Sequence, residues 1–208
     1  MIIKHRGFSP KIDTSAYLAP TAVVCGNVAI EKDSRIMYGA ILDSEGSHIE
    51  IGKCVIICEN AVIRATTALP GKDYPVIIGN NAFVGPHATL LGCTIEPNSY
   101  IATGATVLHG SVIKSGGVVA VSAFVHANTV IPEGFLVPPH TVAIGNPVKF
   151  YGTDDKEALK KAVKAVGFVK TAFGIEADWK DGGKRYKKAT EVRSIEFGEH
   201  FNDIILEE

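Results

Sequence analysis

Apolar positions along this chain recur every six residues. Ile51, Ile57 and Ile63 open the series, Ile78, Val84 and Leu90 continue it, and Ile95, Ile101, Val107, Ile113, Val119, Val125 and Ile131 complete it. Four residues after most of these stands a small side chain: Ala61, Ala82, Ala88, Ser99, Ala105, Ser111, Ala123 or Thr129. A period of six fits neither the 3.6 of an amphipathic helix nor the alternation of a half-buried strand. It fits a parallel β-helix of hexapeptide repeats, in which short strands joined by tight corners stack coil on coil. The large aliphatic residue fills the interior, and the small one lets the chain turn beside it. Leu18, Val24, Ile30, Ile36 and Leu42 carry the same spacing towards the N-terminus, and residues 1–17 read as an edge strand that closes the solenoid.

The phase breaks twice. LDSEGSHIE follows Ile41 and holds nine positions before Ile51, and ATTALPGKDYP between Ile63 and Ile78 reads as a protruding loop. Loops that interrupt a solenoid at one place commonly carry its contacts or its function. The repeats fade over residues 137–150. The chain therefore divides into a β-helix, residues 1–152, and a helical C-terminal extension, residues 153–208, packed on the β-helix or on a neighbouring subunit. Asp154 with Glu157 predicts a capping box, Leu159, Val163, Val166, Val169 and Phe173 fall at helical spacing, and Gly174 is placed to end the helix. The last thirty or so residues are charged and mixed, and read equally as a second helix or as an arm onto a neighbouring subunit.

Composition narrows the class. A 208-residue chain can bury one good core, and 46% hydrophobic residues with 21 Gly and only 8% aromatics suit a Val-, Ile- and Ala-filled solenoid. A net charge of -1 gives no reason to expect nucleic acid or an anionic membrane as partner. No run approaches the ~20 apolar residues of a membrane span, and the start shows no apolar signal region, so a cytoplasmic location is expected. Cys25, Cys54, Cys58 and Cys93 are scattered, which favours reduced thiols; Cys54 and Cys58 have no second pair to complete a zinc motif.

The segments APTAVVCGNVAI, SRIMYGAIL, IEIGKCVIICENAVIRA, VIIGNNAFVGPHATLLGCTI and AIGNPVKF resemble the gamma-class carbonic anhydrases and their hexapeptide-repeat relatives, over roughly residues 10 to 152. The resemblance implies a left-handed parallel β-helix, mainly β in class, with a C-terminal α-helix along the coil and a homotrimeric assembly. In that family three histidines hold zinc between subunits. Where the family reads V-I-H, this chain has Val62-Ile63-Arg64. Where it reads G-H-N-A-x-L-H-G-C, this chain has Gly85-Pro86-His87-Ala88-Thr89-Leu90-Leu91-Gly92-Cys93. The ligand positions thus carry Arg64, Pro86 and Leu91. The family's L-R-G-D becomes Leu42-Asp43-Ser44-Glu45, and its I-Q-D becomes Ile57-Cys58-Glu59. The expectation is a β-helix protein without the zinc centre, no metal and no cofactor, acting as a non-catalytic scaffold or a binder of a small molecule or anion. Catalysis of carbonic anhydrase type is not expected.

With three hexads per coil, the residues after Leu42, Ile63, Leu90, Val107 and Val125 form an outward column: Asp43, Arg64, Leu91, Leu108, His126. Arg64 is then within reach of Asp43, Glu45 or Glu59, and the candidate cleft residues are Asp43, Glu45, Cys58, Glu59, Arg64 and His87. Leu91 and Leu108 would face water on a monomer. Many hexapeptide-repeat relatives are acyltransferases with a histidine between subunits. An acetyl-CoA-dependent acyltransferase using His87, His109 or His126 is therefore the alternative. His5, His48, His140 and His200 read as surface or packing residues.

Overall fold

In the computed structural model, which describes residues 1–69, 72–152, 154–176 and 181–206, the hexads become strands of two or three residues wound into a parallel β-helix with three faces. Face A contains Ile2–Lys4, Val23–Cys25, Ile41–Asp43, Val62–Arg64, Thr89–Leu91, Thr106–Val107, Phe124–Val125 and Val142–Ile144. Face B runs from Lys11–Ile12 to Val130–Ile131, and face C from Tyr17–Leu18 to Leu136–Val137.

Stacking is in register, so Ile63 lies between Leu42 and Leu90, and Leu90 is followed by Val107 and Val125. The inward side chains form one continuous core in which Ile36, Leu42, Ile57, Ile63, Leu90, Ile95, Ile101, Ile113 and Ile131 have no exposed surface. Ala61, Ala82, Ala88, Ala105 and Ala123 are buried at the corners, as the spacing predicts. Corner residues Asn60, Asn81, Asn98 and Asn128 take φ of 57°, 58°, 60° and 56°, the left-handed region that asparagine tolerates better than most residues.

The structure departs from the sequence reading at both ends. Residues 1–17 are not a lone edge strand but a complete first coil: Ile12, six positions before Leu18, pairs with Ile30. The loop after Arg64 forms an antiparallel hairpin, Thr66–Leu69 with Lys72–Tyr74, whose Pro70 and Gly71 lie outside the described residues. The single helix expected after residue 153 is two. Helix α1 (Lys156–Ala165) is entered through Asp155, not Asp154. Its N-cap side chain makes no capping bond; Asp155 Oδ2 accepts instead from the Gly152 N–H at 2.9 Å. Gly167, at φ 64°, breaks the run before α2 (Phe168–Phe173), and Gly174 ends it at φ 66°.

The tail is the second helix, followed by an arm that lies on this chain's own β-helix. Helix α3 (Gly182–Gly198) leads through a 3-10 turn, Glu199–Asn202, to a strand, Ile204–Leu206. That strand adds antiparallel to Ile2–Lys4, with Ile3 opposite Ile205, and covers an open edge of face A. Val169, Ile175 and Ala189 form a second small core with Phe168, Phe173 and Val192. Leu108 is consequently only 6% exposed, while Leu91 stays half-buried, so the chain's own helices cover only part of the apolar column expected to face water. The exposed apolar face is face C, where Tyr17, Phe83, Tyr100 and Leu136 are 40%, 37%, 41% and 55% exposed. No helix among the described residues is long and apolar enough to cross a membrane.

Truncating one interior residue should leave a cavity between neighbouring coils. Ile101→Ala is expected to destabilise the fold by about 2–5 kcal/mol in urea unfolding, against less than about 0.5 kcal/mol for the exposed Ile195→Ala. Equal small effects would contradict a close-packed interior.

Candidate functional site

Arg64 reaches outward from its strand between Asp43 and Leu91. The insertion after Leu42 bends at once: the Glu45 N–H donates to Asp43 Oδ1 at 3.0 Å, and Glu45 takes φ 46°. This turn tucks the Glu45 side chain beneath Arg64, where Oε1 accepts from the guanidinium while Oε2 is buried without a hydrogen-bond partner. Asp43 Oδ2 lies 3.9 Å from Arg64 Nε, and the Phe197 ring stacks 4.3 Å from the guanidinium carbon. The two carboxyls respond differently. Burial and the Glu45 charge raise the Asp43 carboxyl. Burial pushes Glu45 up as well, but its bond to Arg64 and the Arg64 and His200 charges outweigh that and lower it.

The tail brings a second group to the same place. His200 Nδ1 donates to Asp203 Oδ2 at 2.8 Å, while its Nε2 lies 3.5 Å from Glu45 Oε1 and 3.8 Å from Asp43 Oδ2. Asp203 Oδ1 accepts from His5 Nδ1 at 2.5 Å, and the His5 and His200 rings stack 4.3 Å apart. Arg6 Nε donates to His5 Nε2 at 3.2 Å, so both ring nitrogens of His5 have a partner. Gly26 makes the close approach possible: a Cβ there would fall 2.3 Å from Ser44 Oγ and 3.3 Å from His5 Cβ. Cys25, one rung below Asp43, is buried. Burial and the Asp43, Asp203 and Glu45 charges push its thiol up to about 12.

Above Arg64, helix α2 roofs a cavity of about 210 Å3 lined by Arg64, Thr66, Leu91, Leu108, His109, Phe168, Ala172, Phe173 and Arg193. His109 Nε2 is 3.3 Å from Thr66 Oγ1, and its buried Nδ1 has no partner. Burial and the Arg193 and Arg64 charges lower His109 to about 4. Burial alone lowers His126 to about 4; its Nδ1 accepts the Ala127 N–H at 2.9 Å and its ring packs 5.0 Å from Phe168.

Of the residues singled out in the sequence, Asp43, Glu45 and Arg64 come together within one chain. Cys58 and Glu59 instead line a groove on face C with Tyr17, Arg35 and Met37. His87 is exposed at a corner, at φ 58°, with its N–H donating to the Glu59 carbonyl at 3.0 Å. His5 and His200, read in the sequence as surface or packing residues, are joined to each other by a ring stack and to Asp203 by hydrogen bonds. The only local trace of their role is the H-x-x-D spacing of His200 and Asp203; their meeting with His5, 195 residues away, has no sequence signature.

The fold defines the class: this is a parallel β-helix protein of hexapeptide repeats. A hexapeptide transferase family protein from Anaplasma phagocytophilum shares the fold, with a TM-score of 0.56, 22% identity, and coverage of 93% of this chain and 96% of that one. Within that class, the chain is a homologue of the gamma carbonic anhydrases and carbonic anhydrase-like proteins. It is 39% identical to gamma carbonic anhydrase 1, mitochondrial, of Arabidopsis thaliana over 143 residues, which is 68% of this chain and 50% of that protein. It is 28% identical to a carbonic anhydrase of Geobacillus kaustophilus over 149 residues, 72% of this chain and 76% of that protein. The chain spans about half the length of the plant relatives it matches first. No family model matches it.

The tail contacts should depend on pH in a defined direction. Burial lowers His200, but its bond to Asp203 and the Asp43, Glu45 and Asp203 charges outweigh it and raise the ring above 6.5. Burial raises Asp203, but bonds to His200 and His5 and their charges outweigh it and hold the carboxyl below 3.8. The His200 contribution is therefore complete below about pH 6.5 and fades as pH rises through its folded value. The Asp203 contribution is complete above about pH 4 and fades as pH falls through its own. His200→Asn should cost most stability in urea unfolding near pH 5, and the deficit should shrink by pH 9. A deficit that grows with pH would contradict this.

Proposed function

We propose that this chain is a non-catalytic member of the gamma carbonic anhydrase group. In this reading a salt bridge has taken the place of the zinc centre, and the neighbouring cavity binds a small organic anion. The observation that carries the reading is the Arg64–Glu45 pair beneath Phe197. The resemblance assigns the three zinc-holding positions to Arg64, Pro86 and Leu91. A catalytic zinc needs three protein ligands with N, S or O donors and one open position. Pro86 and Leu91 offer no donor atom, and Arg64 is a permanent cation engaged with a buried carboxylate. These side chains do not fit the ion, and no step of CO2 hydration is derived through it.

The cavity above Arg64 supports the binding half of the reading. Its walls are mainly leucine and phenylalanine, while two guanidiniums, Thr66 and His109 supply polar groups at its edge. Such a site suits a small carboxylate with an apolar body, drawn by the charges of Arg64 and Arg193 at its edge. The assembly proposed is a homotrimer, and the exposed aromatic and aliphatic residues of face C are the surface available for it. Burying an apolar face of this kind is favourable by about 25 cal/mol per Å2.

Two measurements test this. Zinc-supplemented protein is expected to hydrate CO2 at the uncatalysed rate in stopped-flow assays, and Arg64→His is expected to leave that rate unchanged. Hydration in proportion to protein concentration would overturn the reading. Benzoate at millimolar concentration is expected to raise the melting temperature of the wild type but not of Arg64→Met. Acetyl-CoA is expected to leave it unmoved, and a shift with acetyl-CoA that disappears in His87→Ala would instead favour acyl transfer.

A further inference from the structure

The tail and the first two coils bring four metal-ligating side chains to one point. His5 follows the strand Ile2–Lys4, Cys25 ends the strand Val23–Cys25, and His200 and Asp203 belong to the closing turn of the tail. One ligand atom from each lies within 4.8 Å of every other, and His5 and Cys25 are 1% and 4% exposed. Around a tetrahedral zinc, with bonds of about 2.0–2.3 Å, ligand atoms stand roughly 3.3–3.8 Å apart. To close on an ion the His5–Asp203 pair, now 2.5 Å apart, must open, while the longest separations, at up to 4.8 Å, must shorten by about an ångström.

We propose that His5, Cys25, His200 and Asp203 form a structural site for a divalent transition-metal ion, zinc foremost, that fastens the C-terminal tail to the N-terminal end of the β-helix. The donor chemistry selects the ion. Two imidazoles, a thiolate and a carboxylate suit borderline-soft zinc and disfavour calcium or magnesium, which take oxygen ligands. Four protein ligands leave no open position, so the site holds structure and does no chemistry. The charges agree: the thiolate and Asp203 balance a dication. The thiol gives up its proton on coordination. Where His5 binds through Nδ1, its ring proton moves to Nε2 and Arg6 is released from that nitrogen.

A second grouping, Asp43, Glu45 and His200, also brings ligand atoms within the same distance. It is the weaker candidate because Arg64 already occupies Glu45 Oε1 and its charge opposes a dication there. The preferred site differs from the family's zinc position in every residue. It lies on the first two coils and the tail, not at Arg64, Pro86 and Leu91, and it does not depend on the binding function proposed above.

Cobalt and zinc titrations of the 208-residue chain test the site, with Cys54→Ser as background to remove an exposed thiol. One equivalent of Co2+ should bind with tetrahedral ligand-field bands and a thiolate-to-cobalt charge-transfer band. Zn2+ should displace it and raise the melting temperature. The charge-transfer band should vanish in Cys25→Ser, and stoichiometric binding should vanish in His200→Ala. Asp43→Asn should change neither. If Cys25→Ser fails to fold, His200→Ala and Asp203→Asn carry the test, since both lie in the tail. No stoichiometric binding by the wild type, or binding that survives His200→Ala, would overturn the proposal. Loss of binding in Asp43→Asn with the charge-transfer band never present would place the ion at the other grouping and equally overturn it.

Discussion

In-register stacking of parallel coils is the constraint on which everything else in this molecule rests. Neighbouring rungs lie about 4.8 Å apart, so whatever follows an interior aliphatic residue faces the same residue of the next coil. On face A this forces Cys25, Asp43, Arg64, Leu91, Leu108 and His126 into one file. The lower rungs are ionic and the upper ones apolar. The cover matches them: His200, Asp203 and Phe197 lie over the ionic rungs, and Phe168 and Phe173 over the apolar ones. The C-terminal extension is thus complementary to the column rung by rung.

That complementarity explains how a buried ion pair is tolerated. Glu45 has a fully buried side chain, while Arg64 keeps about a third of its surface in water. Removing two charges from solvent is costly, and a pair of this kind is retained only with good geometry and further partners. Here Asp43 and Phe197 supply them. The carboxyl that Arg64 binds directly is held ionised, and the second is pushed towards its neutral form. The geometry holds the Arg64 cation in place.

The β-helix was legible in the sequence because its signal repeats: each Ile or Val at period six reports the same interior position, and the errors of single residues average out. The first coil was missed since the turn His5–Pro10 interrupts the period before Ile12 can be counted. The register set Arg64 beside Asp43 and left Glu45 or Glu59 within reach; the turn at Glu45, which no period reports, brings Glu45 to it and leaves Glu59 on face C. The tail was not legible in the same way. Its docking depends on Gly167 breaking one helix and on a strand of three residues finding the N-terminal edge, and neither leaves a periodic pattern. His5 and Asp203 therefore looked unrelated, although one bond joins them across 198 positions.

The tail is locked onto the first coils through the side chains it brings there. A double-mutant cycle between His5 and Asp203, using His5→Ala, Asp203→Ala and the double variant in urea unfolding, measures that lock directly. A coupling of about 1 kcal/mol or more is expected, in the range found for residues sharing one network. Strictly additive effects of the two substitutions would contradict it.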